Sequence, residues 1–199
     1  EYDTVYHEHL SYLSLTPLSK FLDKFGFEIF DVEKQNIHGG TIRFLMARKG
    51  NYPIVKNVAE LIKIEENEKI HDVKYIKDRF AQEVKNHKYE LLKLLLNLKS
   101  MGKRIVGISA SAKGNTLLNY CGIDTEILEY ITEKAVIKIG SYTPGSHIKI
   151  EPDEKLLDDM PDYALILAWN FADEIMESMK MFKDKGGKFI IPIPKPIII

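Results

Sequence analysis

One cysteine, Cys121, among 199 residues leaves no partner for an intrachain disulfide and no cysteine cluster for a metal. A lone thiol suits a reducing compartment, so a cytoplasmic protein is expected. A charge excess of either sign is also missing: 28 Lys and Arg stand against 29 Asp and Glu, and no stretch gathers basic residues into a track for a phosphate backbone. Nucleic acid is therefore not an expected partner. No apolar run approaches the length of a bilayer crossing, so no membrane is expected either. The opening Glu1-Tyr2-Asp3-Thr4 has neither the basic stretch nor the apolar segment of a signal peptide, and it lacks an initiator Met. Because Tyr2 to Tyr6 reads as the middle of a strand, the chain is expected to be a piece of a longer polypeptide. The scattered histidines show no metal-ligand spacing, with His7 and His9 only two apart, and no metal is expected.

What is present is enough apolar content, 45%, to bury a core in one domain or two small ones. After Ser14, the residues Leu15, Leu18, Phe21, Leu22 and Phe25 fall at helical spacing, with Pro17 in the first turn and Gly26 at the stop. Phe27 to Val32 and Thr41 to Ala47 then read as paired strands across Asn36-Ile37-His38-Gly39-Gly40. Gly50 to Pro53 punctuates the chain. Beyond it the composition turns to Glu, Lys and Leu, and Val73, Ile76, Phe80, Val84, His87, Leu91, Leu94 and Leu98 draw one apolar stripe along a long helix. After Gly102, strands and helices alternate. Arg104 to Ile108, Glu126 to Thr132, Tyr163 to Ala168 and Lys188 to Ile191 are strand candidates, with helices near Asn115 to Tyr120 and Ala172 to Lys183. A small Rossmann-like α/β layer is expected, with Pro192 to Ile199 as a tail lying in a surface groove. Three segments follow: 1–50, a helical connector over 51–100, and a Rossmann-like unit over 101–199.

Two segments concentrate chemistry. Tyr6-His7-Glu8-His9 offers an imidazole with a carboxylate beside it, the components of a general base working near neutral pH; the plainer alternative is a polar edge strand. Ser109-Ala110-Ser111-Ala112-Lys113-Gly114-Asn115 joins a strand to a helix start, where backbone amides, two hydroxyls and a mobile lysine would receive a phosphate. It matches neither glycine-rich nucleotide pattern, and small residues at such a turn also serve packing. His38-Gly39, Tyr142 in Ser141 to His147, and Asn170 after a strand end are further candidates for substrate contact.

In this order, Tyr6-His7-Glu8-His9-Leu10-Ser11-Tyr12, Ile37-His38-Gly39-Gly40, Gly107 to Asn115, Tyr142-Thr143-Pro144-Gly145, Pro161-Asp162-Tyr163 and Ala168-Trp169-Asn170 resemble the C-terminal half of the sugar C-methyltransferases. That family methylates a carbon next to the keto group of nucleotide-diphosphate deoxysugars with S-adenosylmethionine. The resemblance implies that residues 1–50 are the final helix and hairpin of a class I methyltransferase fold. Upstream methyltransferase and zinc-binding segments of the same polypeptide would precede it. It also implies that His9 is the base, Glu8 its tuning partner and Tyr6 a sugar or enolate contact. His38, Gly39, Ser109, Ser111, Lys113, Asn115, Tyr142 and Asn170 would line the substrate cleft. The donor-binding glycine loop is missing, so the chain alone is expected to be inactive. Two other classes stay open: a nonenzymatic module binding a nucleotide or sugar phosphate, and a dinucleotide-dependent oxidoreductase with Glu133 as the ribose contact.

Overall fold

The structure is a computed structural model that describes residues 2–35, 37 and 39–199. The chain forms two compact units, one of residues 10–82 and one of residues 1–9 with 83–199. These limits differ from the composition boundaries near 50 and 100, because residues 2–4 pack on a helix of the second unit while the helix after Pro53 packs on the hairpin.

The smaller unit holds α1 (Leu15–Asp23), β1 (Phe27–Gln35), β2 (Thr41–Arg48) and α2 (Lys56–Asn67). Leu15, Leu18 and Leu22 turn one face of α1 toward Ile29, Val32, Val58 and Leu61. Phe21 and Phe25, expected on the same face, are instead exposed and meet each other with ring centroids 5.1 Å apart. The two strands run antiparallel from Phe27 opposite Arg48 to Gln35 opposite Thr41, with a bulge between Ile29 and Asp31. Ser14 makes no side-chain cap on α1. Its first amides are taken by Glu65 of α2, whose oxygens accept from Leu15 N at 2.6 Å and Thr16 N at 2.9 Å.

The long helix α3 (Val73–Ser100) leads from one unit into the other. Its expected stripe is buried only in part. Leu91 and Leu98 enter the core together with Leu95, which lies outside the stripe, while Leu94 is only partly buried and Val73 is 80% and Phe80 42% exposed.

The larger unit alternates β3 (Ile105–Ile108), α4 (Ala112–Cys121), β4 (Ile131–Glu133), β5 (Ile150–Pro152), α5 (Glu154–Asp159), β6 (Tyr163–Ile166), α6 (Ala172–Ser178), α7 (Lys180–Asp184), β7 (Lys188–Ile191) and β8 (Ile197–Ile198). The sheet order is β5-β4-β3-β6-β7-β8, parallel except for β8. This is the mixed α/β, Rossmann-like layer expected. Side chains alternate across β3: Ile105 joins the core beneath α3 and α4, while Val106 and Ile108 join that beneath α5, α6 and α7. All four β3 residues are buried, which explains the uninterrupted apolar run. Gly114 lets α4 approach the end of β6, since a Cβ there would lie 2.6 Å from Leu167 Cβ.

Four expectations need correction. Tyr2–Thr4 is a 3-10 turn rather than a strand, closed by Val5 N donating to Tyr2 O. The second parallel strand starts at Ile131, because the Asp124 carboxylate and carbonyl draw Glu126, Ile127 and Leu128 into a turn. Helix 172–183 breaks at Met179 into α6 and α7. The tail is no groove ligand: Ile197 and Ile198 pair with Ile191 and Ile190 as an antiparallel edge strand.

Candidate functional site

In an open parallel sheet, ligands favour the carboxyl ends of the strands where chain direction reverses, here between β3 and β6. A cleft of about 390 Å³ opens at that end of the larger unit. Ala110 and Ser111 after β3, Lys138 after β4 and Leu167 after β6 contribute to its walls, with Asn115 and Thr116 of α4. The loop before β5 adds Ser141, Tyr142 and Thr143. That loop is firmly docked. Thr143 Oγ1 accepts from Ile148 N at 2.9 Å, and Asn119 Nδ2 donates to Pro144 O at 3.0 Å. Tyr142 consequently presents a ring that is 60% exposed.

Of the residues expected from the sequence, Tyr6, Ser111, Asn115 and Tyr142 meet in this cleft. Ser109, Lys113, Gly39, Glu8, His9 and Asn170 are not among its lining residues. Gly39, with φ +83, sits in the hairpin loop of the smaller unit, and His38 lies outside the described residues. Asn170 occupies a 3-10 turn after β6. His7, from the same short motif as Tyr6, also lines the cleft, as does Lys138, which carries no sequence pattern of its own.

The strand-to-helix loop differs most from its expected role. Ser109 takes a left-handed conformation, φ +70, which folds the loop back so that Ser111 N donates to Ser109 O at 2.8 Å. Ser111 then caps α4 by accepting from Gly114 N at 3.0 Å. Ala110 N donates to Glu133 Oε2 at 3.1 Å. A carboxylate thus already occupies the place an incoming phosphate would take. Lys113 is no mobile cation: it is 8% exposed, with Nζ 4.9 Å from the Trp169 ring centroid. The accessible ammonium at the cleft is that of Lys138, which donates to Glu133 Oε2 and Ala110 O, both at 3.0 Å.

Glu133 stands where a dinucleotide fold would put its ribose carboxylate. Its Oε1 accepts from Lys134 N and Ala135 N, while Oε2 accepts from Ala110 N and Lys138 Nζ. Burial pushes its pKa up, but these donors outweigh burial and hold it below the usual carboxylate range. With four donors engaged, Glu133 is a structural tie, which argues against the oxidoreductase reading.

Tyr6-His7-Glu8-His9 forms a turn closed by His9 N donating to Tyr6 O at 3.0 Å. The His9 ring packs against Tyr6 with centroids 4.2 Å apart. His9 Nδ1 lies 2.9 Å from Thr4 O. A carbonyl can only accept, so Nδ1 carries the hydrogen and the neutral ring holds its basic lone pair on Nε2. Glu8 does not perform this task; its Oε1 lies 4.0 Å from His7 Nε2.

The opposite end of the sheet is built for stability. Arg104 donates to Glu129 and to Asp159, and Asp162 accepts from Lys103 Nζ and Arg104 N. Asp162, part of a motif singled out above, is thus a fold residue.

Residues 36–194 match the family described as the C-methyltransferase C-terminal domain. The chain belongs to that family. NovU, a C-methyltransferase of Streptomyces niveus, is 34% identical over 200 residues, covering 100% of this chain and 47% of the relative. The chain thus spans about half the length of that curated relative. The Tyr6 to His9 turn precedes the family match but falls within the similarity to NovU.

The methyltransferase class implies S-adenosylmethionine. The residues at the carboxyl ends of β3 and β4 do not fit its ribose: the Glu133 carboxylate is engaged by four donors, and the Ala110 amide points to that carboxylate. Among the described residues no three His, Cys, Asp or Glu side chains gather as a metal site, and no helix is long and apolar enough to cross a membrane.

Proposed function

We propose that the complete polypeptide is an S-adenosylmethionine-dependent C-methyltransferase of a nucleotide-diphosphate keto-deoxysugar, and that this chain supplies the acceptor side of the reaction. The observation that carries the reading is the Thr4 carbonyl on His9 Nδ1, which prepares an Nε2 base one ring away from the cleft. A carbon beside a ketone becomes nucleophilic only after losing a proton, so a methyl acceptor of this type needs such a base. His9 Nε2 takes the proton, and Tyr6, the residue shared by the base and the cleft, contacts the sugar or its enolate. In this reading residues 1–50, a helix followed by two antiparallel strands, are the tail of the methyltransferase domain. The donor is held by the upstream part of the same polypeptide.

The cleft takes the nucleotide diphosphate. Its volume, about 390 Å³, falls in the range of small-molecule sites, and Tyr142 offers an aromatic face while Lys138 offers the cation. Titration of thymidine diphosphate into the complete enzyme and its variants tests this placement. Tyr142→Ala and Lys138→Ala are expected to weaken binding by roughly tenfold each, a charge-assisted or stacking contact of about 1.4 kcal/mol. Undiminished affinity in both variants would put the nucleotide elsewhere.

A further inference from the structure

The reading of His9 as the base leaves unexplained what keeps the segment before it in place. Asp3 is fully buried, and its Oδ2 accepts from Trp169 Nε1 at 2.6 Å, while Oδ1 is buried with no hydrogen-bond partner. A buried carboxylate with one oxygen unsatisfied is a costly way to stabilise a fold. Its neighbour Tyr2 is buried as well, with its hydroxyl 3.1 Å from His87 Nδ1 and 3.4 Å from Cys121 Sγ. The next residue is Thr4, whose carbonyl accepts from His9. On the other side, Trp169 follows β6 two residues after Leu167, which lines the cleft, and its ring faces Lys113 of α4.

We propose that Asp3 and Trp169 are positioning residues for the base: the indole N–H holds the Asp3 carboxylate, and this fixes the Thr4 carbonyl that orients His9. Neither side chain touches substrate in this proposal. The connection runs from the cleft wall at Leu167 through Trp169, Asp3 and Thr4 to the imidazole, so the base is registered to the wall that receives the sugar nucleotide. Tyr2 anchors the same segment through α3 and α4. The proposal rests on the reading of His9 as base, and its consequence is confined to turnover, because the cleft residues that hold the ligand are left unchanged.

The test uses the complete enzyme with a thymidine-diphosphate-linked keto-deoxysugar, following exchange of the α-proton with deuterated solvent. Trp169→Phe keeps an aromatic ring beside Lys113 while removing the N–H together with part of the indole's volume; Asp3→Asn keeps an acceptor oxygen. Trp169→Phe and Asp3→Ala are expected to slow exchange about 10- to 100-fold with KM little changed, the cost of misplacing a reacting group by about 1 Å. Asp3→Asn stays near wild type, and the Asp3→Ala/Trp169→Phe double variant is no slower than the worse single. If Asp3→Ala does not fold, Trp169→Phe with Asp3→Asn still decides. Wild-type exchange in Trp169→Phe, or multiplicative losses in the double variant, overturns the proposal. A His9→Ala enzyme measured in parallel separates the two levels: exchange persisting there removes the base assignment itself, whereas exchange abolished there but normal in Trp169→Phe removes only the positioning role.

Discussion

A neutral imidazole acts as a base only through the nitrogen that lacks a hydrogen, and in His9 the Thr4 carbonyl decides which one that is. Glu8 has no such hold, its carboxylate being nearer His7. Glu8→Gln is therefore expected to lower turnover far less than His9→Ala, whose loss should fall within the roughly 10²–10⁴-fold contributed by general bases. Steady-state kinetics on the two variants measures the difference, and equal losses would return the orienting role to Glu8. A second residue-scale expectation concerns Cys121. Burial raises its thiol pKa, only partly offset by the Tyr2 hydrogen bond and the Lys88 charge. The native chain should leave Cys121 unmodified by a disulfide-exchange reagent, with labelling appearing on unfolding; rapid native labelling would contradict the buried environment.

At the scale of elements, α1 owes its start to Glu65, which accepts from two backbone amides and the Thr16 hydroxyl and lies 3.1 Å from His71 Nε2. Glu65→Ala leaves those donors without their acceptor and should destabilise the smaller unit by about 1.5–3 kcal/mol, read from denaturant unfolding. Burial raises the Glu65 pKa, but the hydrogen bonds from Thr16, Leu15 and His71 prevail and set it below its ordinary value of 4.5. A depressed folded pKa means that this stabilisation is complete above the unfolded value and is lost as pH falls through the folded one. Glu65→Gln should thus flatten the acid side of the stability profile, and an unchanged acid limb would show that another group controls it. This cap was not legible in sequence, because its donors and acceptor come from α1 and α2, far apart along the chain. Strands β3, β6 and β7 were legible because a buried parallel strand is a short apolar run. Strand β5, three residues ending in Pro152, and β8, two residues long, offer no such run.

Across the whole molecule, the sequence names part of the cleft lining and misplaces other residues. Tyr6, Ser111, Asn115 and Tyr142 line one cleft, the last three because strand ends and their loops share one edge of the sheet. Lys113 departs from its expected role because it packs on Trp169, which comes from a different strand end, and Lys138 is not legible because a lone lysine after a strand has no pattern. With Glu133 engaged by its own loop, the chain alone is expected neither to bind S-adenosylmethionine nor to transfer a methyl group. Calorimetric titration showing micromolar donor affinity for these 199 residues would contradict that division of labour. The most direct test of the central claim is α-proton exchange in the complete enzyme, with keto-sugar nucleotide present and no methyl donor. Wild-type enzyme is predicted to wash deuterium into the carbon beside the ketone while His9→Ala does not; exchange at the wild-type rate in His9→Ala would contradict the account.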